Sequence, residues 1–556
     1  MFPSPGQSRH ARLKPNPKHP RQLSRFARGF ARDEDGSLLI FGVYILVLML
    51  MVGGIGIDLM RFERDRAKLQ YTLDRAVLAA ADLDQTLDPS AVVADYFDKA
   101  GLSDYLMSVT VDEGLGYRVV SADASAVVET QFMRMTGVDT LDAPAASTAE
   151  ERIDGVEISL VLDVSGSMNW NNRLPNLKIA AKDFVDNMVD NTEDGKLSIS
   201  IIPYATQVST PQSFMDEFNT TNENVFSNCV NFQAADFNST AIDLNQPLES
   251  TMYFDVWRTF DGRDDDPVRT IQYPICESDQ NRELLVLQKD RNTLKTYIDN
   301  LTARGNTSID IGMKWGSALL DPSLRPVVGT MIANGEVPAD FVASPRNYDD
   351  NETLKVVVLM TDGRNTSQYY IDEDYRSGNS DVWWNEQEEE YSVYSPDDDL
   401  FYWPSQDVWA DHPYGQDGWG CIADGGWDCE NRTEPGDAVQ LTYPQLWAYT
   451  SLKWNERYNF RPWMGRSAAR NKWYKDVRRN VGTSAKNTRT QTICDAAKSQ
   501  QIVVYTIGFE APSSGQAVLA NCASSVSHYF NVVGGAELGD AFSAIASSIR
   551  KLRLTQ

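Results

Sequence analysis

Asp163, Ser165 and Ser167 stand at alternate positions of the stretch Asp163-Val-Ser-Gly-Ser-Met168, directly after the apolar, β-branched run 156–162. The run reads as a buried strand, so one carboxylate and two hydroxyls leave a strand end together. These are hard oxygen donors with no His or Cys among them, a set that suits Mg²⁺, Mn²⁺ or Ca²⁺ rather than Zn²⁺. Two later stretches offer matching groups. Gly305-Asn-Thr-Ser-Ile-Asp-Ile-Gly-Met313 puts Thr307 in a loop before a helical segment, and Lys355-Val-Val-Val-Leu-Met-Thr-Asp-Gly363 ends a second buried strand in Asp362. In open α/β sheets ligands sit at the carboxyl ends of strands, where the D-x-S-x-S loop and Asp362 would lie, with the Thr307 loop between them in sequence. The alternative is a metal-free domain that keeps these residues for turn geometry, since Ser and Asp are common turn formers.

The elements that must position these residues follow from periodicity. A helix is predicted over 174–189, a strand over 196–202 at a sheet edge, and a helix over 282–301 that delivers the chain to Thr307. Beyond Asp362 come a helix over 487–499, a strand over 501–507 and a closing amphipathic helix over 538–552. Alternating strands and helices imply a doubly wound, mainly parallel sheet covered on both faces. Together, the D-x-S-x-S loop, the Thr307 loop and the strand ending at Asp362 resemble the von Willebrand factor A domain and its metal-ion-dependent adhesion site. The resemblance spans roughly 155–550 with long insertions. It implies a metal set of Asp163, Ser165, Ser167, Thr307 and Asp362, and binding of a protein partner through an Asp or Glu carboxylate.

Residues 1–34 read as a basic tail; the first 32 carry eight Lys or Arg and no Asp or Glu. Residues 38–57 form an uncharged run of 20, long enough as a helix to span about 30 Å of hydrocarbon. The basic flank places the N-terminus in the cytoplasm and the body outside it. A cleaved signal peptide is the alternative, but the run is long for one and no clean small-x-small site follows it. From Gly36-Ser37 through Gly53-Gly-Ile-Gly-Ile-Asp58, Leu69-Gln70 and Asp74-Arg-Ala-Val-Leu-Ala-Ala-Ala81, the chain resembles TadG-like proteins of the tight-adherence (Flp) pilus machinery. Such chains often carry a von Willebrand A domain after the anchor. Related pseudopilins are cut after a Gly and carry a Glu five residues later; that position here is Phe41, which favours a retained anchor. Domains are therefore expected at 1–34 (tail), 35–82 (transmembrane helix and TadG-like segment), 83–152 (stalk with a small α/β element, 143–151 read as a linker) and 153–552 (von Willebrand A-like), with insertions at about 207–280 and 365–485.

The net charge of the chain is −27, and without its first 32 residues the remainder is at −35, which excludes a nucleic-acid partner. Six cysteines lie beyond residue 228 with no C-x₂-C pair, which excludes a zinc ribbon and favours disulfides in an exported region. Sequential pairing (229–276, 421–429, 494–522) is one of fifteen connectivities; six buried thiols are the alternative. Ten of the 13 Trp lie between 383 and 473, and residues 371–400 hold 11 acidic groups against one basic. Those Trp either anchor a recognition surface for carbohydrate or peptide or fill the core of a self-contained insert. Acidic runs at 261–266 and 397–399 lack the spacing of an EF-hand and read as solvated loops. No G-x-S-x-G, H-E-x-x-H or Walker A pattern occurs among these residues, and no His accompanies the oxygen set, so no enzyme is expected. The expectation is a single-pass bacterial inner-membrane protein of Flp/Tad pilus assembly, its main domain in the periplasm or outside the cell, with Mg²⁺ (or Mn²⁺ or Ca²⁺) in its adhesion site. The rival is a stand-alone surface adhesin for host or matrix ligands.

Overall fold

A computed structural model describes residues 35–82, 85, 87–114, 117–152, 155–350, 352–423 and 427–551. The expected basic tail lies outside them. The chain forms two compact units, one of residues up to 113 with 118–151 and one of residues from 152 onward with 114–117.

In the first unit a single helix, Asp35–Ala81, contains the whole apolar run. All but Ile45 and Met51 of its large side chains from Leu38 to Val52 are exposed, as a lipid-facing surface would require, and among the described residues it is the one helix long and apolar enough to cross a membrane. Beyond that run the same helix turns amphipathic. Leu69, Leu73, Ala76, Val77 and Ala80 fall on one face and are buried against Val92, Val93 and Phe97 of the helix Pro89–Ala100 and against a three-stranded sheet. That sheet is Leu106–Gly114, Tyr117–Glu129 and Thr140–Arg152 in chain order. The predicted linker at 143–151 is thus a strand. Its many Ala carry weak strand preference, but pairing and the burial of Ala143 and Ala145 override it. Asp58 lies just past the apolar run and is buried; its carboxylate accepts the backbone N–H groups of Gln131, Phe132 and Met133 at 2.7–3.1 Å. The Gly-rich stretch before it serves the same contact: a Cβ on Gly54 would lie 2.4 Å from the Phe132 ring.

The second unit is built on a six-stranded sheet. Its order across the sheet is Tyr529–Val532, Val503–Phe509, Thr353–Thr361, Gly155–Asp163, Leu197–Tyr204 and Leu285–Gln288. The first five strands are parallel and the last is antiparallel. All nine residues of Gly155–Asp163 are buried, as a central strand covered on both faces demands. One face packs on Arg173–Asp190, Arg291–Asn300 and Gly535–Lys551 and the other on Ile309–Ala318, Thr483–Ser499 and Ser513–Cys522. This is the expected von Willebrand A-like, doubly wound α/β architecture. The strand predicted at 196–202 is not the edge: Leu285–Gln288 covers it. That short Leu-Val-Leu-Gln strand merges by composition with the following helix, which is why a single helix was expected from 282 although it begins at Arg291.

The insertions are ordered. The long one leaves and returns through an antiparallel pair, Gln368–Ile371 with Arg478–Val481. Between them lies a five-stranded sheet running Val408–Ala410, Leu400–Trp403, Glu390–Ser395, Asn379–Asn385 and Ala438–Thr442. Its apolar core includes Val382, Val393, Trp447 and Trp473, and Met252, Phe254, Val256 and Ile275 of the first insertion join it, so the two insertions share one core. Of the eight Trp of the long insertion whose side chains are described, three are fully buried and five are half-buried at its margins. Disulfides join Cys229 to Cys276 and Cys494 to Cys522, with Cα atoms 5.9 and 5.1 Å apart. The backbones of Cys421 and Cys429 face each other in register across a hairpin; their side chains lie outside the described residues.

Candidate metal centre

The strands Gly155–Asp163 and Thr353–Thr361 are adjacent and parallel, so both end at the same edge of the sheet. Asp163 closes the first and Asp362 follows the second. Asp163 is held by two bonds: its Oδ1 accepts the Ser165 N–H at 2.8 Å and its Oδ2 accepts the Thr361 hydroxyl at 2.6 Å. The chain then turns so that Ser165 Oγ lies 3.1 Å from Ser167 Oγ, and the Ser167 hydroxyl donates to Asp362 Oδ1 at 2.8 Å. Thr307 reaches the same point from the third loop, its hydroxyl 3.1 Å from Ser165 Oγ. All five residues singled out in the sequence are therefore brought together.

The Thr307 loop is docked by backbone bonds. Gly166 N–H donates to Gly305 O, Arg304 N–H to Val164 O, and Asn306 N–H to the Thr206 hydroxyl. Gly305 has φ of +92°, and a Cβ there would also press on Thr206 and Ala205, so both backbone conformation and space require glycine. Behind Thr307 the Lys486 ammonium is wholly buried and donates to the carbonyls of Thr307 and Thr366 at 3.0 and 2.9 Å and to the Ser308 hydroxyl. Its countercharge is Asp310, 3.9 Å away and equally buried.

Chemically the set is two carboxylates and three hydroxyls. Asp163 is fully enclosed, and burial, with the Asp362 charge beside it, pushes its carboxyl up to about 7. Asp362 is also raised by burial, against the pull of Ser167 and Arg173. Two carboxylates held above their ordinary range, with three hydroxyls linked in one hydrogen-bonded chain to Asp362, form an all-oxygen donor set, and their chemistry fits a hard divalent cation. Among the described residues no three His, Cys, Asp or Glu side chains gather to hold a metal, so this set depends on its hydroxyls.

Two charged residues went unnoticed in the sequence. Arg173, at the start of its helix, donates to Asp362 Oδ2 at 2.7 Å and to Glu510 Oε2 at 3.0 Å. It neutralises part of the Asp362 charge and bridges it to the end of the strand Val503–Phe509. Nothing in the local pattern at 173 or 510 marks either, because they meet only through the parallel sheet.

Residues 36–83 match the family model described as putative Flp pilus-assembly TadE/G-like. This is the segment of the apolar helix and its amphipathic continuation. The N-terminal segment is TadE/TadG-like. No curated protein is significantly similar to the chain. Among solved structures, it is similar to the pilus adhesin SpaC from Lactobacillus rhamnosus GG in its open conformation, at 13% identity and TM-score 0.30, over 80% of this chain and 33% of that one. The chain thus spans about a third of SpaC's length. It is similar to the vWF domain of the type V pili tip protein Mfa5 from Porphyromonas gingivalis at 13% identity and TM-score 0.30, over 73% of this chain and 98% of that one. It is also similar to proximal thread matrix protein 1 from the mussel byssus, with a zinc-occupied MIDAS motif, at 12% identity and TM-score 0.27, over 72% and 46% of the two chains.

Proposed function

We propose that this chain is a single-pass, N-in protein of Flp/Tad pilus assembly in the bacterial inner membrane. Its main domain lies outside the cytoplasm and binds protein partners through a divalent-metal adhesion site. The observation that carries the metal reading is the convergence of Asp163, Ser165, Ser167, Thr307 and Asp362 from three separated loops at one sheet edge. The match of residues 36–83 to the TadE/G-like model supports the pilus setting, and the exposed apolar helix supports the anchor.

A Mg²⁺ or Mn²⁺ ion held there would supply an electrophilic position that a partner's Asp or Glu carboxylate can fill. The chain's own residues do the positioning. Thr361 and the Ser165 N–H fix the Asp163 carboxylate, Ser167 and Arg173 fix Asp362, and the loop docked on Ala205 and Thr206 presents the Thr307 hydroxyl. Neutral hydroxyls rather than further carboxylates leave the bound cation under-neutralised, which favours an incoming anion. The described histidines are engaged elsewhere, His412 with Asp411 and Glu434 and His528 with Ser525, so among the described residues no imidazole adjoins this set, which supports a binding role.

The test is to replace the chromosomal copy with an Asp163→Ala, Ser165→Ala variant, confirm its amount in the membrane, then image pili and score attachment. Loss of pili is expected. Normal pili with normal attachment would refute the reading, and normal pili with reduced attachment would replace it with a stand-alone adhesin.

A further inference from the structure

We propose that a cleft of about 710 Å³ formed by the paired insertions binds an alkylammonium or guanidinium group, the side chain of a lysine or arginine presented by a partner protein. It shares no residue with the oxygen set and does not depend on it.

Four rings make one continuous aromatic wall. Trp384 and Tyr391 have centroids 4.4 Å apart, Tyr391 and Trp454 5.1 Å, and Trp454 and Tyr458 5.4 Å. The outermost ring, Tyr458, is 43% exposed. The chain's own Arg457 already lies over that ring at 5.4 Å, the contact an incoming cation would repeat on its neighbours. The same cleft is lined by Asp261, Asp264, Asp265, Glu389 and Glu390. Arg269 is the basic residue of the lining, and it is already paired with Asp265 at 2.5 Å. Carboxylates for the charge and ring faces for its weakly hydrated surface are the two features that recognise an organic cation.

A second observation in the lining is a polar group that lacks a donor. Asn459, wholly buried in the cleft lining, donates its amide to Asn455 Oδ1 at 2.9 Å, while its own Oδ1 has no hydrogen-bond partner. A buried acceptor left unpaired costs free energy that an N–H donor would recover. An ammonium or guanidinium brings such donors; a carboxylate or phosphate does not. Asp261 tells the same story. It accepts from Tyr391 OH and Arg263 N–H, both at 3.0 Å, yet burial pushes its carboxyl up to about 6. A neutral saccharide could stack on the rings, but it would desolvate the carboxylates without supplying the opposite charge.

The experiment uses the full chain in detergent at low salt, titrated with hexalysine, n-butylammonium and maltohexaose, with tryptophan fluorescence and calorimetry as readouts. Hexalysine is expected to bind. Its affinity should fall roughly tenfold in the Asp264→Asn, Glu390→Gln double variant and in Tyr458→Ala, and be retained in Tyr458→Phe. n-Butylammonium should compete, but more weakly than hexalysine. Absence of hexalysine binding, equal binding by all variants, or preferential binding of maltohexaose would each overturn the proposal. Butylammonium binding as tight as hexalysine would make the ligand a free amine and overturn the protein-partner assignment. Mg²⁺ binding at the oxygen set, measured on the same samples, should be unchanged; it reports that each variant is folded and separates failure here from failure of the proposed function.

Discussion

Asp163→Asn separates the electrostatic cost of the oxygen set from its use. The Asp163 carboxyl is pushed from an ordinary 3.8 up to about 7, first by burial and then by the charge of Asp362. A raised value means that the folded protein holds this proton more tightly than the unfolded chain. The stability so gained is complete below about pH 4 and is lost as the pH rises to about 7. By pH 8 the metal-free protein carries a penalty on the order of 4 kcal/mol from this one group. Asparagine keeps the shape. Its Oδ1 can still accept from the Ser165 N–H, while its amide must face the Thr361 hydroxyl that now donates to Oδ2. Some of the gain is lost there, leaving a net stabilisation of about 1–4 kcal/mol at pH 8. The assay is guanidinium unfolding of the full chain in detergent with EDTA, at pH 4, 6 and 8, repeated with Mg²⁺. The variant should be the more stable protein at pH 8 without metal, and its advantage should shrink toward pH 4. Mg²⁺ should stabilise the wild type at pH 8 and leave the variant unmoved. A variant no more stable than wild type at pH 8, or one that Mg²⁺ stabilises equally, would refute the reasoning.

Other substitutions probe what surrounds the set. Arg173→Gln removes a guanidinium 2.7 Å from Asp362 and should tighten Mg²⁺ binding several-fold at pH 8 by calorimetry; weaker binding would mean that Arg173 chiefly holds Asp362 in place. Lys486→Met leaves the buried Asp310 without its countercharge and should cost about 3–5 kcal/mol in chemical unfolding, with Asp310→Asn in the same chain restoring most of it. Replacing Cys494 and Cys522 by Ala opens a loop of 28 residues and should lower stability by about 3–4 kcal/mol relative to the oxidised protein. A phosphatase fused at the C-terminus should be active outside the cytoplasm, and activity of a cytoplasmic reporter at that position would reverse the topology.

Much of the central sheet and all five oxygen donors were legible because each signal is local. A β-branched run followed by D-x-S-x-S, a glycine before Thr307 and a second β-branched run ending at Asp362 all report strand ends within a few residues. What escaped was set by distance in sequence. Arg173 meets Glu510, and Lys486 meets Thr307, only after the parallel strands are in register. The four-residue strand Leu285–Gln288 was hidden because a short apolar run before a helix has no period of its own. Residues 143–151 read as a linker because the stability of the strand Thr140–Arg152 comes from its neighbours rather than its side chains. The Trp-rich insertion was legible as an ordered unit but not in use, since burial of an aromatic is invisible in a sequence without periodicity.

The most direct measurement is anomalous diffraction from crystals of the protein grown with Mn²⁺. A peak bonded to the hydroxyl oxygens of Ser165 and Ser167 is expected, with Asp163, Thr307 and Asp362 around it. Density without a peak at that sheet edge, or a Mn²⁺ ion bound only elsewhere, would contradict this expectation.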